Sequence, residues 1–398
     1  MKTEVDVIER IGALERKYVL EVFDTQFRTS SGSAMTGRLE EKFAEIFASK
    51  FSISFVNGTA TMHAALAAAG IGPGDEVIVP PLTMASTSFA VLHAGALPVF
   101  ADIDAQSWTM DPKSVERCIT SRTKALLPVA IYGLSPPMDE LRALAEKHRL
   151  FLLEDDAQCF LGRYKGRING SIADASSFSF QSSKHLTCGE GGMITTNDEN
   201  LADKIRRFNS LGYAAVGAGA GKGKIARETI QNPDYLRHAS VGWNYRLAEL
   251  SAAVALAQAE RILELVTVRR QAAHAFADVL GGCHWLVPQH VPSGFEHSWW
   301  TYAVRLDAGA DFSWQAFRKK YIELGGDGIY AAWQLTYMEP AFRGVRFATA
   351  QWQQYQRGLC PVADQLQPCL LQFKTNYFDP EDRERAAEAL AKTLRYFG

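Results

Sequence analysis

One lysine, Lys184, has a sequence setting that suits covalent chemistry better than a surface charge does. The segment 179–184 reads SFQSSK, and the run GEGG follows at 189–192. An amine that attacks an aldehyde must be desolvated, because burial lowers its pKa and leaves it unprotonated. The pattern therefore indicates a lysine that forms a Schiff base, with Ser179 or Ser183 as a candidate ligand for a phosphate group.

Three adjacent acids, Glu154, Asp155 and Asp156, follow an apolar run, and Gln158 comes two residues later. Buried acids need cations, a metal or solvent, and a metal would require more oxygen or nitrogen ligands nearby. A single carboxylate against a pyridinium nitrogen would instead keep pyridoxal phosphate (PLP) an electron sink. Asp155 and Gln158 could reach the ring nitrogen and the ring hydroxyl, with Asp156 a solvated or structural neighbour. Taken alone, these residues fit a solvated acidic turn equally well.

A third candidate element is the run NGTA at 57–60, between a predicted strand and a predicted helix. Gly58 allows close backbone approach, Thr59 carries a hydroxyl, and a helix start offers free N–H groups. Together these features favour binding of a phosphate. By itself the motif is weak, since a plain capped turn has the same pattern.

Short β-rich runs alternate with helical patterns over the first 250 residues, which favours a mainly parallel sheet with helices on both faces. Such sheets bind ligands at the carboxyl ends of their strands, where the candidate residues fall. The strands are predicted at 51–56, 76–79, 97–102, 124–130, 151–154, 175–180 and 193–196, and the helices at 59–69, 85–93 and 138–148.

The pattern changes after residue 206. A Gly/Ala-rich stretch at 212–224 precedes a long helical pattern from about 247 to 277, with a possible break near Val266. A strand at 299–306, a helix at 313–324 and a helix at 380–396 suggest a smaller α+β unit. Because 398 residues exceed what one core usually holds, we expect a large domain over 1–250, then a linking helix and small domain over 251–398.

Composition excludes several classes of protein. The formal net charge of -2 and the lack of long Lys/Arg runs oppose nucleic-acid binding. The start, 1–16, has no apolar core of a secretory signal, and no apolar run approaches the roughly 20 residues that span a bilayer. The six cysteines form no close pairs, so neither a zinc site nor a disulfide framework follows. A cytoplasmic, metal-free protein is expected.

In six ordered blocks the chain resembles the DegT/StrS family of PLP-dependent sugar aminotransferases, within the fold-type-I, aspartate aminotransferase-like enzymes. The resemblance extends from about residue 37 to 258, and more loosely to the end. It implies a seven-stranded sheet in the large domain. The blocks are NGTATMHAAL, GIGPGDEVIVPPLT, LPVFADID, EDDAQ with GRYKGR, FSFQSSKHLTCGEGG with MITTND, and GWNYRLAEL.

The resemblance also implies roles for individual residues. Lys184 would form the Schiff base with PLP, Asp155 would pair with the pyridinium nitrogen, and Gln158 with the ring hydroxyl. The phosphate would be held by Gly58, Thr59 and Ser179. Asn244 matches a position that reaches the phosphate of the neighbouring subunit, which implies a homodimer or a larger assembly with shared active sites.

Two positions depart from the family pattern. Met84 stands where an aromatic residue often packs against the cofactor ring, and a thioether can take that place. Ala130 replaces a common histidine near the substrate. These departures leave the chemistry intact but put the identity of the acceptor substrate in doubt.

The reaction implied is transfer of an amino group from L-glutamate, through pyridoxamine phosphate, to a keto group of a nucleotide-linked deoxy sugar. A 4-keto-6-deoxyhexose is favoured on family frequency alone. Some relatives aminate keto-cyclitols or make an aminated aromatic acid, and a cyclitol acceptor stays open. Others are pyridoxamine-dependent dehydratases with histidine at the lysine position, which Lys184 opposes although His185 adjoins it. A non-catalytic scaffold is opposed by the joint presence of Lys184 and Asp155.

Overall fold

The computed structural model describes residues 8–27, 33–219, 225–307, 309–342 and 355–398. Two sequence-based predictions fall partly on other residues. The absence of a secretory signal was inferred from 1–16, of which 1–7 lie outside the described residues. The Gly/Ala-rich stretch 212–224 likewise ends in 220–224, which lie outside them.

The helices predicted at 59–69, 85–93, 138–148, 313–324 and 380–396 begin and end within two residues of the predicted positions. In chain order they are α1 (Ala13–Asp24), α2 (Met35–Ile46), α3 (Gly58–Ala68), α4 (Ser86–His93), α5 (Pro112–Cys118), α6 (Met138–His148), α7 (Glu199–Asn209), α8 (Arg227–Gln231), α9 (Glu249–Glu260), α10 (Ile262–Leu280), α11 (Trp314–Glu323), α12 (Pro361–Leu366) and α13 (Pro380–Phe397).

The strands supply one large sheet and two smaller ones. In chain order they are β1 (Phe51–Phe55), β2 (Glu76–Val79), β3 (Leu97–Phe100), β4 (Thr123–Leu126), β5 (Phe151–Asp155), β6 (Arg163–Tyr164), β7 (Arg167–Ile168), β8 (Ala175–Ser179), β9 (Gly192–Thr196), β10 (Leu286–Pro288), β11 (Phe295–Glu296), β12 (Thr301–Leu306), β13 (Tyr330–Ala331) and β14 (Leu370–Lys374).

The large sheet has seven strands in the order β1-β9-β8-β5-β4-β2-β3. Strands β3, β2, β4, β5 and β8 run parallel, whereas β9 is antiparallel to both of its neighbours. This confirms the prediction of a mainly parallel α/β sheet. The carboxyl ends of β5 and β8 lie side by side, with Asp155 opposite Ser177.

The sheet is buried on both faces, and in β2 and β5 the runs 77–79 and 151–153 are accordingly continuously apolar. In β2, Val77 and Val79 pack in the core that includes α3, whereas Ile78 packs in a second core with residues of α6. In β5, Leu153 joins the first core and Leu152 the second. Asp155, two residues after Leu153, therefore belongs to the α3 side of the sheet.

A four-stranded antiparallel sheet, β10-β12-β14-β13, follows α10. It packs with α11 and α13 around its own core, in which Phe276 of α10, Phe317 and Phe373 are central. The arrangement agrees with the α+β unit expected after the linking helix.

The predicted long helix is two helices, and the break near Val266 was placed wrongly. α9 ends at Glu260 and α10 begins at Ile262, with Arg261 between them. Arg261 donates to the Glu15 carboxylate at 2.9 Å and to the Glu9 carbonyl at 2.7 Å. These contacts come from the N-terminal segment, so periodicity within the helical stretch carried no signal for the position of the break.

Within the described residues, no helix combines the length and the apolar character needed to span a membrane.

Candidate active site

Asp155 ends β5 in a buried position on the α3 side of the large sheet. Its Oδ2 accepts a hydrogen bond from the Thr87 hydroxyl at 2.9 Å, and its Oδ1 accepts from the Ala157 amide at 3.1 Å. Desolvation raises the pKa of Asp155, while these hydrogen bonds and the nearby Lys184 amine act in the opposite direction. The carboxylate thus has the partners of a group held in one orientation for a cation.

Lys184 supplies that cation from a turn after β8. The side chain is partly buried, and its Nζ lies 4.5 Å from the centre of the Trp300 ring. Desolvation lowers the pKa of Lys184 to about 8, Asp155 favours the charged form, and Arg269 disfavours it. The structure therefore brings together the two residues that the sequence predicted at separate strand ends. A lowered pKa increases the fraction of the amine that is neutral, which is the form that acts as a nucleophile.

The start of α3 lies against the end of β8. A Cβ atom on Gly58 would lie 2.9 Å from the Cβ of Ser179, so only glycine fits without a shift. Asn57 caps the helix, and its Oδ1 accepts from the Ala60 amide at 2.8 Å. Gly58, Thr59 and Ser179 thus meet at a helix start, where N–H groups lack partners within the helix and favour an anion.

Gln158 is buried beyond the end of β5. Its Oε1 accepts from the backbone amide of Tyr132 at 2.7 Å, while its backbone carbonyl accepts from the Ser298 hydroxyl at 3.2 Å. These bonds hold the side chain in place and leave its Nε2 as the group that could donate to a ligand.

Two predicted residues lie apart from this group. Met84 precedes α4 and is 50% exposed, so its thioether is open to a ligand or to solvent. Asn244 is exposed and lies opposite Ser210 in an isolated antiparallel bridge. Within the described residues, no hydrogen bond links Asn244 to Lys184 or Asp155. Its predicted role involves a second subunit.

Asp156 is buried, so the expectation that it is solvated was wrong and only the structural alternative stands. Asn169 Nδ2 donates to the carboxyl groups of both Glu154 and Asp156, at 2.7 and 3.3 Å. Desolvation raises the pKa of both acids, and each carboxyl group disturbs the titration of the other. The two acids are buried neighbours on the opposite side of β5 from Asp155, and their burial favours the protonated forms.

Two residues of the site escaped sequence analysis. Thr87, in the first turn of α4, orients Asp155, but a hydroxyl at a helix start usually caps the helix. Arg269 donates from α10 to the carbonyl of Lys184 at 3.1 Å. A signal for Arg269 existed: it lies three or four residues from Val266 and Ala273, on the buried stripe of an amphipathic helix. A charge on that stripe is unusual.

Comparison with known proteins agrees with this geometry. The model of the DegT/DnrJ/EryC1/StrS aminotransferase family matches residues 9–376. GDP-perosamine synthase of Caulobacter vibrioides is 38% identical over 301 residues, which are 75% of this chain and 76% of that protein.

Two solved structures have the same fold. An aminotransferase from Psychrobacter cryohalolentis has a TM-score of 0.86 at 28% identity, covering 99% of both chains. A 3-amino-5-hydroxybenzoic acid synthase has a TM-score of 0.83 at 26% identity, covering 97% of this chain and 99% of that one. Since the family model spans nearly the whole chain, this protein belongs to the DegT/DnrJ/EryC1/StrS aminotransferase family.

Proposed function

We propose that this aminotransferase uses PLP to move an amino group from L-glutamate to a keto carbon of a nucleotide-linked deoxy sugar, with a 4-keto-6-deoxyhexose favoured. The observation that carries the proposal is the grouping of the Lys184 amine, which lies 4.5 Å from the centre of the Trp300 ring, with the buried Asp155 carboxylate that accepts from Thr87 and from the Ala157 amide.

The buried carboxylate of Asp155, the amine of Lys184 and the start of α3 offer partners for the ring, the aldehyde and the phosphate of PLP. Asp155 would pair with the pyridinium nitrogen and Gln158 with the ring hydroxyl, while Lys184 would bind the aldehyde carbon. The phosphate would occupy the start of α3, held by Gly58, Thr59 and Ser179, with Met84 against the ring. When bound, the cofactor supplies an electron sink that stabilises negative charge on the donor's α-carbon.

The protein's own contribution is proton transfer and orientation. Freed from the cofactor, the Lys184 amine would remove the α-proton of the donor and return a proton to the cofactor carbon. A group does this best when its pKa lies near the working pH, and the pKa of Lys184 is lowered to about 8 by burial. Trp300 lies beside the amine, and its indole N–H donates a hydrogen bond to the Ser183 carbonyl at 3.0 Å.

The sugar acceptor is supported by two observations. The relative at 38% identity is named GDP-perosamine synthase. Beside Lys184, the Trp300 ring stacks on that of Trp333, with ring centres 5.7 Å apart, and both rings are partly exposed. Such a flat aromatic surface suits the apolar face of a deoxy sugar.

We also propose that the protein is a homodimer in which Asn244 reaches the partner's cofactor phosphate. We propose further that residues 1–250 form a large domain, which is followed by a linking helix and a small domain over 251–398.

The test is spectroscopic and chemical. The purified protein with added PLP is expected to show the visible absorbance of a cofactor bound to a lysine, and glutamate is expected to bleach it with release of 2-oxoglutarate. Lys184→Ala should lose both the band and turnover, whereas the exposed Lys165→Ala should keep them. A panel of nucleotide-linked keto sugars, with a keto-cyclitol beside them, then identifies the acceptor. Full turnover by Lys184→Ala would overturn the proposal.

A further inference from the structure

Arg269 is a buried guanidinium on α10 that holds the turn carrying Lys184. Its Nη2 donates to the carbonyls of Ser183 at 2.7 Å and Lys184 at 3.1 Å. Its Nη1 donates to the Trp300 carbonyl at 2.6 Å and the Thr375 hydroxyl at 3.2 Å. One side chain thus connects the Lys184 turn to the residue before β12 and the residue after β14.

The charge of Arg269 is not balanced by an acid. All four of its partners are neutral oxygens, and no carboxylate in the described ranges forms an ion pair with it. Buried charges are ordinarily paired, because taking a lone charge out of water costs several kcal/mol. Burial, and to a lesser extent the charge of Arg10, lowers the pKa of Arg269 to about 9. Arginine nevertheless resists deprotonation, so the fold maintains an uncompensated positive charge here.

We propose that Arg269 is the positioning residue for Lys184, and that its uncompensated charge keeps the lysine amine available in its neutral form despite the facing carboxylate of Asp155. The proposal rests on the function proposed for Lys184. It extends that function by assigning to α10 and to the linking region a part in setting the protonation of the reactive amine.

The groups around Lys184 show why such a charge is needed. Asp155, from β5, favours the ammonium form, and the adjacent Trp300 ring attracts a cation as well. Burial and Arg269 oppose them. His185, the next residue, donates from Nε2 to the Ser298 carbonyl at 2.9 Å, and burial lowers its pKa well below the ordinary value, so it adds no charge. Arg10 donates to the Ser182 carbonyl and adds positive charge behind Arg269.

Geometry also explains why arginine rather than lysine stands here. The planar fork of a guanidinium donates to several carbonyls in fixed directions, whereas an ammonium is a point charge on a flexible stem. Each of the two terminal nitrogens of Arg269 donates two hydrogen bonds. The four acceptors are backbone and hydroxyl oxygens that belong to three separate segments. Lysine would keep the charge but lose most of this bracing.

The test measures the titration of Lys184 directly, in the full chain freed of bound carbonyl compounds with hydroxylamine. Lys184 is acetylated by limiting acetic anhydride at a series of pH values, and the modified peptide is quantified by mass spectrometry. The wild-type midpoint is expected near 8. Arg269→Met should raise it by about 1 unit, because a nearby like charge is removed. Arg270→Met is the matched control, since Arg270 donates to the Leu161 carbonyl at 2.9 Å instead.

Arg269→Lys separates the effect of the charge from the effect of the four hydrogen bonds, because it keeps the charge and loses most of those bonds. We expect it to keep the midpoint near that of the wild type, while hydrogen–deuterium exchange across 182–186 becomes faster than in the wild type or in Arg270→Met. An unchanged Lys184 midpoint in folded Arg269→Met overturns the electrostatic role. If that variant does not fold, a raised midpoint or unchanged exchange in Arg269→Lys overturns the proposal instead.

This measurement needs neither cofactor nor substrate. A failure of the proposed reaction would appear as a missing visible band and no 2-oxoglutarate, with the Lys184 titration unaffected. A failure of the Arg269 proposal would appear in the titration alone, in a protein that still shows the band.

Discussion

At the scale of the residue, the three consecutive acids have different surroundings because neighbouring strand residues point to opposite sides of the sheet. Asp155 lies on the side of α3 and α4, where Thr87 donates to it. Glu154 and Asp156 lie on the other side and share Asn169. One oxygen of each, Glu154 Oε2 and Asp156 Oδ2, lacks a hydrogen-bond partner among the described residues, and a proton shared by the two carboxyl groups would satisfy both.

The buried acids Glu154 and Asp156 lead us to predict that the stability of the fold depends on pH. Because burial raises the pKa of Asp156 and Glu154, the folded state holds protons that the unfolded chain releases above about pH 4. The free energy of unfolding should therefore decline as the pH rises through the raised pKa. Asp156→Asn should flatten that decline. From acid to neutral pH, the free energy of unfolding of the variant should therefore rise by about 1 kcal/mol relative to that of the wild type. Urea unfolding at several pH values measures it.

The matched control is Asp234→Asn, which makes the same change at an exposed position. Its unfolding free energy should track the wild type across the pH range. Parallel curves for Asp156→Asn and the wild type would show that the buried acids carry no extra protons.

At the scale of the element, the close approach of α3 and β8 is set by the absence of a side chain at residue 58. Both the cap by Asn57 and the short distance to Ser179 depend on how the helix start meets the strand end. The candidate phosphate site is the junction of the two elements, because the start of α3 supplies the free N–H groups and the end of β8 supplies the Ser179 hydroxyl.

Gly58→Ala tests this junction. Its Cβ would meet Ser179 at 2.9 Å, so α3 must shift away from β8, at a cost of about 1–3 kcal/mol. We expect a lower melting temperature and an affinity for PLP reduced about tenfold or more, measured by fluorescence titration. Gly37→Ala is the control: it lies in α2 with nothing within 4 Å of the added Cβ. Equal PLP affinity in the two variants would contradict the junction as the phosphate site.

At the scale of the whole molecule, apolar side chains are exposed in the segment that leads to Asn244. Leu236 is 84% exposed, Val241 90% and Trp243 51%. Several large apolar residues exposed close together in sequence are typical of a surface that another chain covers. Together with the role proposed for Asn244, they lead us to predict a dimer interface that includes this segment.

Leu236→Glu tests the interface, because a charge buried there on association would be unpaired. Sedimentation velocity should show a dimer for the wild type and a shift toward monomer for the variant, with a parallel loss of PLP affinity. Leu263→Glu, at a 65% exposed position on α10, is the control and should leave the dimer intact. A monomeric wild type, or a variant that dimerises normally, would contradict the shared site.

The sequence by itself determined the family and the mainly parallel sheet, both of which the comparisons and the structure confirmed. It also indicated Lys184, Asp155 and Gly58 as candidates. These features are local: alternating apolar runs define each strand, and each candidate residue adjoins one strand end or helix start. For the same reason the seven strands of the large sheet were located to within a few residues.

Only the tertiary structure decided which distant residues meet. The roles of Arg269 and Thr87, the burial of Asp156 and the break at Arg261 all depend on contacts between segments far apart in the chain. Periodicity reports which side of an element is apolar, but not which neighbour covers it. The protonation of Lys184 belongs to this second group, because it is set by charges from β5 and α10 that come together only in the folded protein.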